Sequence, residues 1–198
     1  MSDPTRSPTD WRPLALTLAA VTAAYAVVYR LMPFDLRAVA PWPFFAWAVY
    51  AGARLTPRVA VPLVLGVVGL TDVIRFVVHN DPPTHFFYPC LAVALFLGWG
   101  LLRRSDSLFG AAVTSVFGYA VYFVVTNFAA WLEPALPDYL PRSAGTLGLA
   151  YLKGLEFLRY VPGQLYGDLL FGAGLFAAHA YLSKLYFPAE RVAAEGVR

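Results

Sequence analysis

Asp72, Arg75 and His79 lie in "GLTDVIRFVVHN", at the end of an apolar run from Val59 to Val78. Their spacing is i, i+3, i+7, which on a helix puts all three on one narrow stripe. A carboxylate and a guanidinium one turn apart can pair, and pairing lowers the cost of holding either in an apolar medium. Further polar groups sit near the ends of other apolar runs. Asn127 is flanked by Phe123 and Trp131 at i−4 and i+4, and Gln164 and Asp168 are one turn apart with His179 further down the same face. Acids, an arginine and amides of this kind bind solutes by hydrogen bonds and charge, or they tie helices together. Two acids facing one Arg leave a carboxylate that a cation, a ligand amine or a proton could satisfy. The sequence leaves both roles open.

Catalytic and metal patterns are missing. No Walker A sequence, HExxH, GxSxG or His/Cys ligand set occurs, so no catalytic and no metal residue is assigned and no cofactor is expected. His79, His85 and His179 are scattered. The single cysteine, Cys90, excludes an internal disulfide and reads as a small side chain in an apolar run.

The elements that must position these residues are membrane spans. Of the 198 residues, 59% are hydrophobic and 14% charged, against about 45–50% and about 25% in soluble domains. Six apolar segments are expected, at 14–32, 40–54, 59–79, 86–102, 107–132 and 164–186, in a single transmembrane domain over 1–198. The second holds Pro41 and Pro43 and reads as a bent or partly re-entrant element that protein must bury. Arg12 ahead of the first segment and an Ala24-Tyr25-Ala26 site resemble a signal peptide, but the apolar run is long and a retained span is expected.

Lys and Arg counts set the orientation. With the N-terminus inside, Arg6, Arg12, Arg54, Arg58, Arg103, Arg104, Lys184, Arg191 and Arg198 are cytoplasmic. Arg30, Arg37, Arg142, Lys153 and Arg159 are external, and Arg75 is within a span. Both termini are therefore expected in the cytoplasm. This arrangement brings Asp72, Arg75, Asn127, Gln164 and Asp168 to the outer half of the bilayer. The net charge of +3 reflects cytoplasmic loops, and no basic stripe supports nucleic-acid binding.

Between the fifth and sixth spans, "TLGLAYLKGLEFLRYVPG" places Leu147, Tyr151, Leu155 and Leu158 on one face and Lys153, Glu156 and Tyr160 on another. It reads as an amphipathic helix at the outer interface, either a plain surface helix or a lid over a cavity. On the first span Ala15, Ala19 and Ala23 recur every fourth residue. Such a seam serves close packing within the chain or docking on another membrane protein. Gly163 and Gly167 form a weaker seam.

Residues 126–176, with an Asn and a Trp ending one span, a "YLPRS" turn, an amphipathic stretch and "GDLLFGAGLF", resemble a family of bacterial membrane proteins described as putative transport proteins. "RLMPFDLRAVAPWPFFAWAVYAGARL" followed by a Pro and a "TD" resembles the family's N-terminal half. That family is similar to the substrate-binding S components of energy-coupling-factor transporters. The resemblance implies an all-α bundle of about six spans in a bacterial inner membrane, both termini cytoplasmic, and an outward cavity capped by loops. It also implies docking of the alanine-rich first helix on a transmembrane coupling protein that carries two ATPases. Asp72, Asn127, Trp131, Gly167 and Asp168 match by position. Where members often carry an Asn before the second span, this chain has Ala38 and its neighbours. "MSDPTRSP" lacks the early His of nickel and cobalt S components.

The reading that follows is a membrane subunit binding a small solute, with Asp72 and Arg75 as a polar wall, Asn127, Gln164 and Asp168 as hydrogen-bonding groups and Trp131 as an aromatic side. A non-transporting membrane scaffold is the alternative, and a membrane enzyme stands third.

Overall fold

A computed structural model describes residues 13–81, 83, 85–105, 107–133 and 139–186. Arg6, Arg12, Arg191 and Arg198, used above for orientation, lie outside the described residues. The described residues form α-helices α1 (Pro13–Leu31), α2 (Phe34–Val39), α3 (Phe44–Arg54), α4 (Pro57–His79), α5 (Phe87–Leu97), α6 (Leu108–Leu132), α7 (Ala144–Tyr160) and α8 (Gly163–Tyr186), with no strand among them. A π-helical turn, Gly98–Leu102, continues α5.

Three helices, α1, α4 and α6, are long and apolar enough to cross a membrane. Val73, Phe76, Val77 and Val78 on α4 are exposed, as are Val113, Phe117 and Val124 on α6. Such faces suit a hydrocarbon solvent better than water. α8 has 24 residues but carries Gln164, Asp168, His179 and Lys184. It is not among the three.

Local signals mark the ends. α4 begins with Pro57 in its first turn and stops at Asn80, whose φ of 56° is left-handed and whose amide turns back to the Arg75 and Phe76 carbonyls. Ser107 caps α6 through the Gly110 amide, and Ser143 caps α7 in a reciprocal box with Thr146.

The second expected segment, 40–54, contains α3 alone, and α2 lies just ahead of it. α3 has 11 residues, about 16 Å of helix, against about 30 Å of bilayer hydrocarbon. Every residue from Phe44 to Arg54 is buried, as the expectation of a short element enclosed by protein requires. "FFAWAVYAGA" is apolar all round, and a helix of that kind belongs in a core. α3 crosses α5 almost backbone to backbone: a Cβ on Gly52 would stand 2.1 Å from the Leu95 carbonyl oxygen, and one on Gly98 2.0 Å from that of Val49.

One end of the bundle gathers the finish of α1 and the starts of α3, α5 and α8; it is the upper end below. An aromatic layer fills it. The rings of Tyr29, Trp42, Phe44, Phe87 and Tyr122 touch in sequence, with Phe45 and Tyr119 beside them. At the other end Arg54 donates to the Ser105 carbonyl and stacks 4.9 Å from the Phe176 ring, and the Tyr50 hydroxyl meets His179 Nδ1 at 2.8 Å.

The alanine seam faces inward. Ala15 and Ala19 are 0% exposed and Ala23 6%, and the Trp47 indole of α3 donates to the Ala19 carbonyl at 2.9 Å. The expectation of Ala15, Ala19 and Ala23 as a partner-docking face is thus corrected. Close helix approach within the chain is what the small side chains provide, and α3 is one of the helices that approach.

Candidate functional site

Asp72 is held by two helices other than its own. Arg30, in the last turn of α1, forms a buried ion pair with Asp72 Oδ1, and the Tyr88 hydroxyl of α5 donates to Oδ2 at 2.5 Å. The guanidinium also lies 5.5 Å from the Phe87 ring centre and 5.9 Å from that of Phe44. The pairing of Asp72 with Arg75 expected from their spacing does not form. Arg75 instead donates to Asp81 at 2.8 Å. Asp72 faces the interior, where α1 brings a second guanidinium. Arg75 is nearer the helix end, where the Asn80 turn folds Asp81 back to it. That bond holds the Asp81 carboxyl below its ordinary range. His79 is exposed. Arg30 was counted among the external charges in the sequence, yet only 6% of its side chain is exposed.

Asp168 answers a different need. The first intrahelical bond of α3 is Trp47 N–H to the Pro43 carbonyl, so the amides of residues 44 to 46 have no acceptor within the helix. Pro43, at the cap position, supplies no side-chain acceptor. Asp168 of α8 does: its Oδ1 accepts from the Ala46 amide at 2.8 Å, with the whole residue 0% exposed. A negative group there also complements the positive end of the helix dipole. Gly163 and Gly167 make this possible by admitting segment 40–42. The Trp42 amide donates to the Gly163 carbonyl at 2.8 Å, and a Cβ on Gly167 would lie 2.0 Å from the Trp42 nitrogen. Asp168 Oδ2 has no hydrogen-bond partner among the described residues.

Asn127 and Gln164 do come together, on the other side of the aromatic layer from Asp72. A cavity of about 280 Å³ lies between α6 and α7 and reaches the start of α8. α6 contributes Tyr119, Tyr122, Phe123, Thr126 and Asn127, and α7 contributes Lys153, Gly154, Phe157 and Leu158. Tyr139 and Gln164 complete the lining. Gln164 Oε1 accepts from the Tyr119 hydroxyl at 2.9 Å. The Asn127 amide nitrogen donates to the Phe123 carbonyl at 2.8 Å. The Lys153 ammonium stands 5.6 Å from the Tyr139 ring centre.

α7 roofs this cavity. Thr146, Leu147, Ala150, Tyr151, Gly154 and Leu158 are its less exposed positions, whereas Leu155, expected on the same face as Leu147 and Tyr151, is 53% exposed. Two hydrogen bonds seat α7 on α6: Tyr151 hydroxyl to the Val124 carbonyl at 3.1 Å, and Trp131 Nε1 to Thr146 Oγ1 at 3.1 Å. Trp131 is therefore an anchor for the roof and not part of the lining. Gly154 sets the approach, since a Cβ there would lie 2.2 Å from Asn127 Oδ1.

The single polar wall expected from common depth is thus three separate sets: Arg30–Asp72–Tyr88, Asp168 with the start of α3, and the Asn127–Gln164 cavity. Sequence reasoning missed Arg30, Tyr88 and Tyr119. A hydroxyl or guanidinium within aromatic stretches was the only signal for them.

Residues 10–190 match the model of a family of unknown function, DUF6580, and the chain belongs to that family. No curated protein and no solved structure matches it.

Proposed function

We propose that this family member is the solute-binding subunit of a membrane transporter, with its site beneath α7. The observation that carries the reading is the cavity itself. It is concave and mixes aromatic side chains with the polar groups of Thr126, Asn127, Lys153 and Gln164, a combination that can orient a small molecule, and α7 is a separate amphipathic helix that covers it. In this reading α1, α3, α4, α5 with its π turn, α6 and α8 are the six membrane segments. Both termini are cytoplasmic, the membrane is a bacterial inner membrane, and α7 lies at the outer interface. Asp72, Arg75 and Asp168 hold the frame, while Asn127 and Gln164 face the solute.

The chain has no P-loop, and in this reading the energy for uphill transport comes from a partner with ATPases, joined through a transmembrane coupling protein as in the S-component arrangement. The inward alanine seam leaves that docking face to other residues. The test is purification of the tagged chain from its native membranes under mild extraction. Co-elution of ATPase subunits with ATP hydrolysis is the expected result. A chain that elutes alone and never accumulates solute in energised vesicles overturns the transport reading. The closely packed aromatic layer favours a second reading, a non-transporting scaffold, and its outcome is a stable complex with no ATPase subunit and no solute.

A further inference from the structure

We infer that the cavity beneath α7 selects an uncharged planar solute bearing a carbonyl acceptor, which the Gln164 amide recognises. This rests on the solute-site reading above and adds the chemical class and the group that reads it. A volume of about 280 Å³ sits at the lower edge of the usual range for ligand sites, roughly 300–1,000 Å³. It suits a solute of about one ring with a short substituent. Tyr122, Phe123 and Phe157 offer flat apolar walls for that ring.

The groups that remain uncommitted decide the rest. Lys153 carries the one formal charge among the described lining residues. That charge is already engaged, at the Tyr139 ring and by a further interaction. An ion entering the cavity sheds water and meets no uncommitted counter-charge, which costs far more than desolvating a neutral carbonyl compound. Most polar hydrogens of the lining are committed too. Thr126 donates to the Tyr122 carbonyl at 2.8 Å. Asn127 donates to the Phe123 carbonyl at 2.8 Å, and its amide is packed against Gly154 of the roof. Gln164 differs. Its Oε1 accepts from the Tyr119 hydroxyl at 2.9 Å, so the Tyr119 bond sets which way the amide faces. Both hydrogens of its NH2 group keep no partner among the described residues, and they are donors. A carbonyl oxygen on a ring substituent meets that need. A protonated amine brings only hydrogens to a group that offers hydrogens.

The experiment uses the full chain in lipid nanodiscs at pH 8 and three probes of one size: benzamide, benzoate and benzylamine. Binding is read by saturation-transfer NMR and titration. Benzamide is expected to bind about tenfold more tightly than either ion. Gln164→Glu keeps the side-chain length and an acceptor for Tyr119 but loses the NH2 group. It should weaken benzamide about tenfold and erase its advantage over benzylamine. Lys153→Gln should shift benzamide about twofold at most. A thermal transition confirms that each variant is folded. A benzamide preference that survives Gln164→Glu overturns the role of Gln164. Benzoate or benzylamine binding as tightly as benzamide, with both blocked by Thr126→Phe, overturns the selection of an uncharged solute and leaves the solute site standing. Failure of all three probes to bind the folded protein overturns the selectivity and the solute site together.

Discussion

Arg30 and Asp72 are 6% and 5% exposed at their side chains, too buried for water to carry either charge. Removing one partner of a buried pair typically costs about 3–5 kcal/mol, whereas replacing both with apolar groups is often neutral. Arg30→Met and Asp72→Leu should each lower the thermal midpoint sharply, and the double variant should recover most of the loss. Additive losses would show that the two side chains act independently. Arg75 and Asp81 behave differently because Asp81 is at the surface. Its folded pKa is depressed by the Arg75 hydrogen bond, so the carboxylate contributes stability above its unfolded value of 3.8 and loses it as pH falls through the lower folded value. Asp81→Asn should therefore differ from the parent at neutral pH and converge with it in strong acid. A difference unchanged between those pH values would sink the assignment. Asp72 was legible in the sequence because an acid in an apolar run needs a reason. Its partner was not, because Arg30 lies 42 residues away at a helix end, where arginines commonly reach out to water.

α3 shows what a short helix inside a bundle requires. Its N-terminal residues are buried, and Asp168 reaches across from α8 to accept from one of their amides. Asp168→Ala leaves that amide unsatisfied, which costs about 1–3 kcal/mol, while Asp168→Asn keeps an acceptor oxygen and should cost less. Thermal unfolding in detergent separates the two, and an equal loss in both would mean that charge, not the hydrogen bond, is what α3 uses. Pro41 and Pro43 made the shortness of this element readable, and its uniform apolarity made its burial readable. The cap was not readable, since nothing local to Asp168 identifies a helix start 122 residues away. For α7 the amphipathic pattern gave the helix itself. Which face met α6 was fixed by Gly154 and Tyr151, and Leu155 turned outward instead.

At the scale of the whole molecule, the apolar segments read from composition coincide with α1, α4, α5 with its π turn, α6 and α8 to within a few residues. Hydrophobic runs are a direct record of the solvent a helix meets. Which polar residues share a site was not legible, because spacing along the chain says nothing about which side of a packed aromatic layer a residue occupies. Asp72 meets Arg30 and Tyr88, while Asn127 lines the cavity beneath α7. The central claim is that the Asn127–Gln164 side holds a solute. Native mass spectrometry of the gently extracted chain, compared with Thr126→Phe of matched thermal stability, tests it most directly. A small-molecule adduct on the parent that disappears in the variant is the predicted result. The same spectrum from both, with or without an adduct, would contradict a solute site beneath α7.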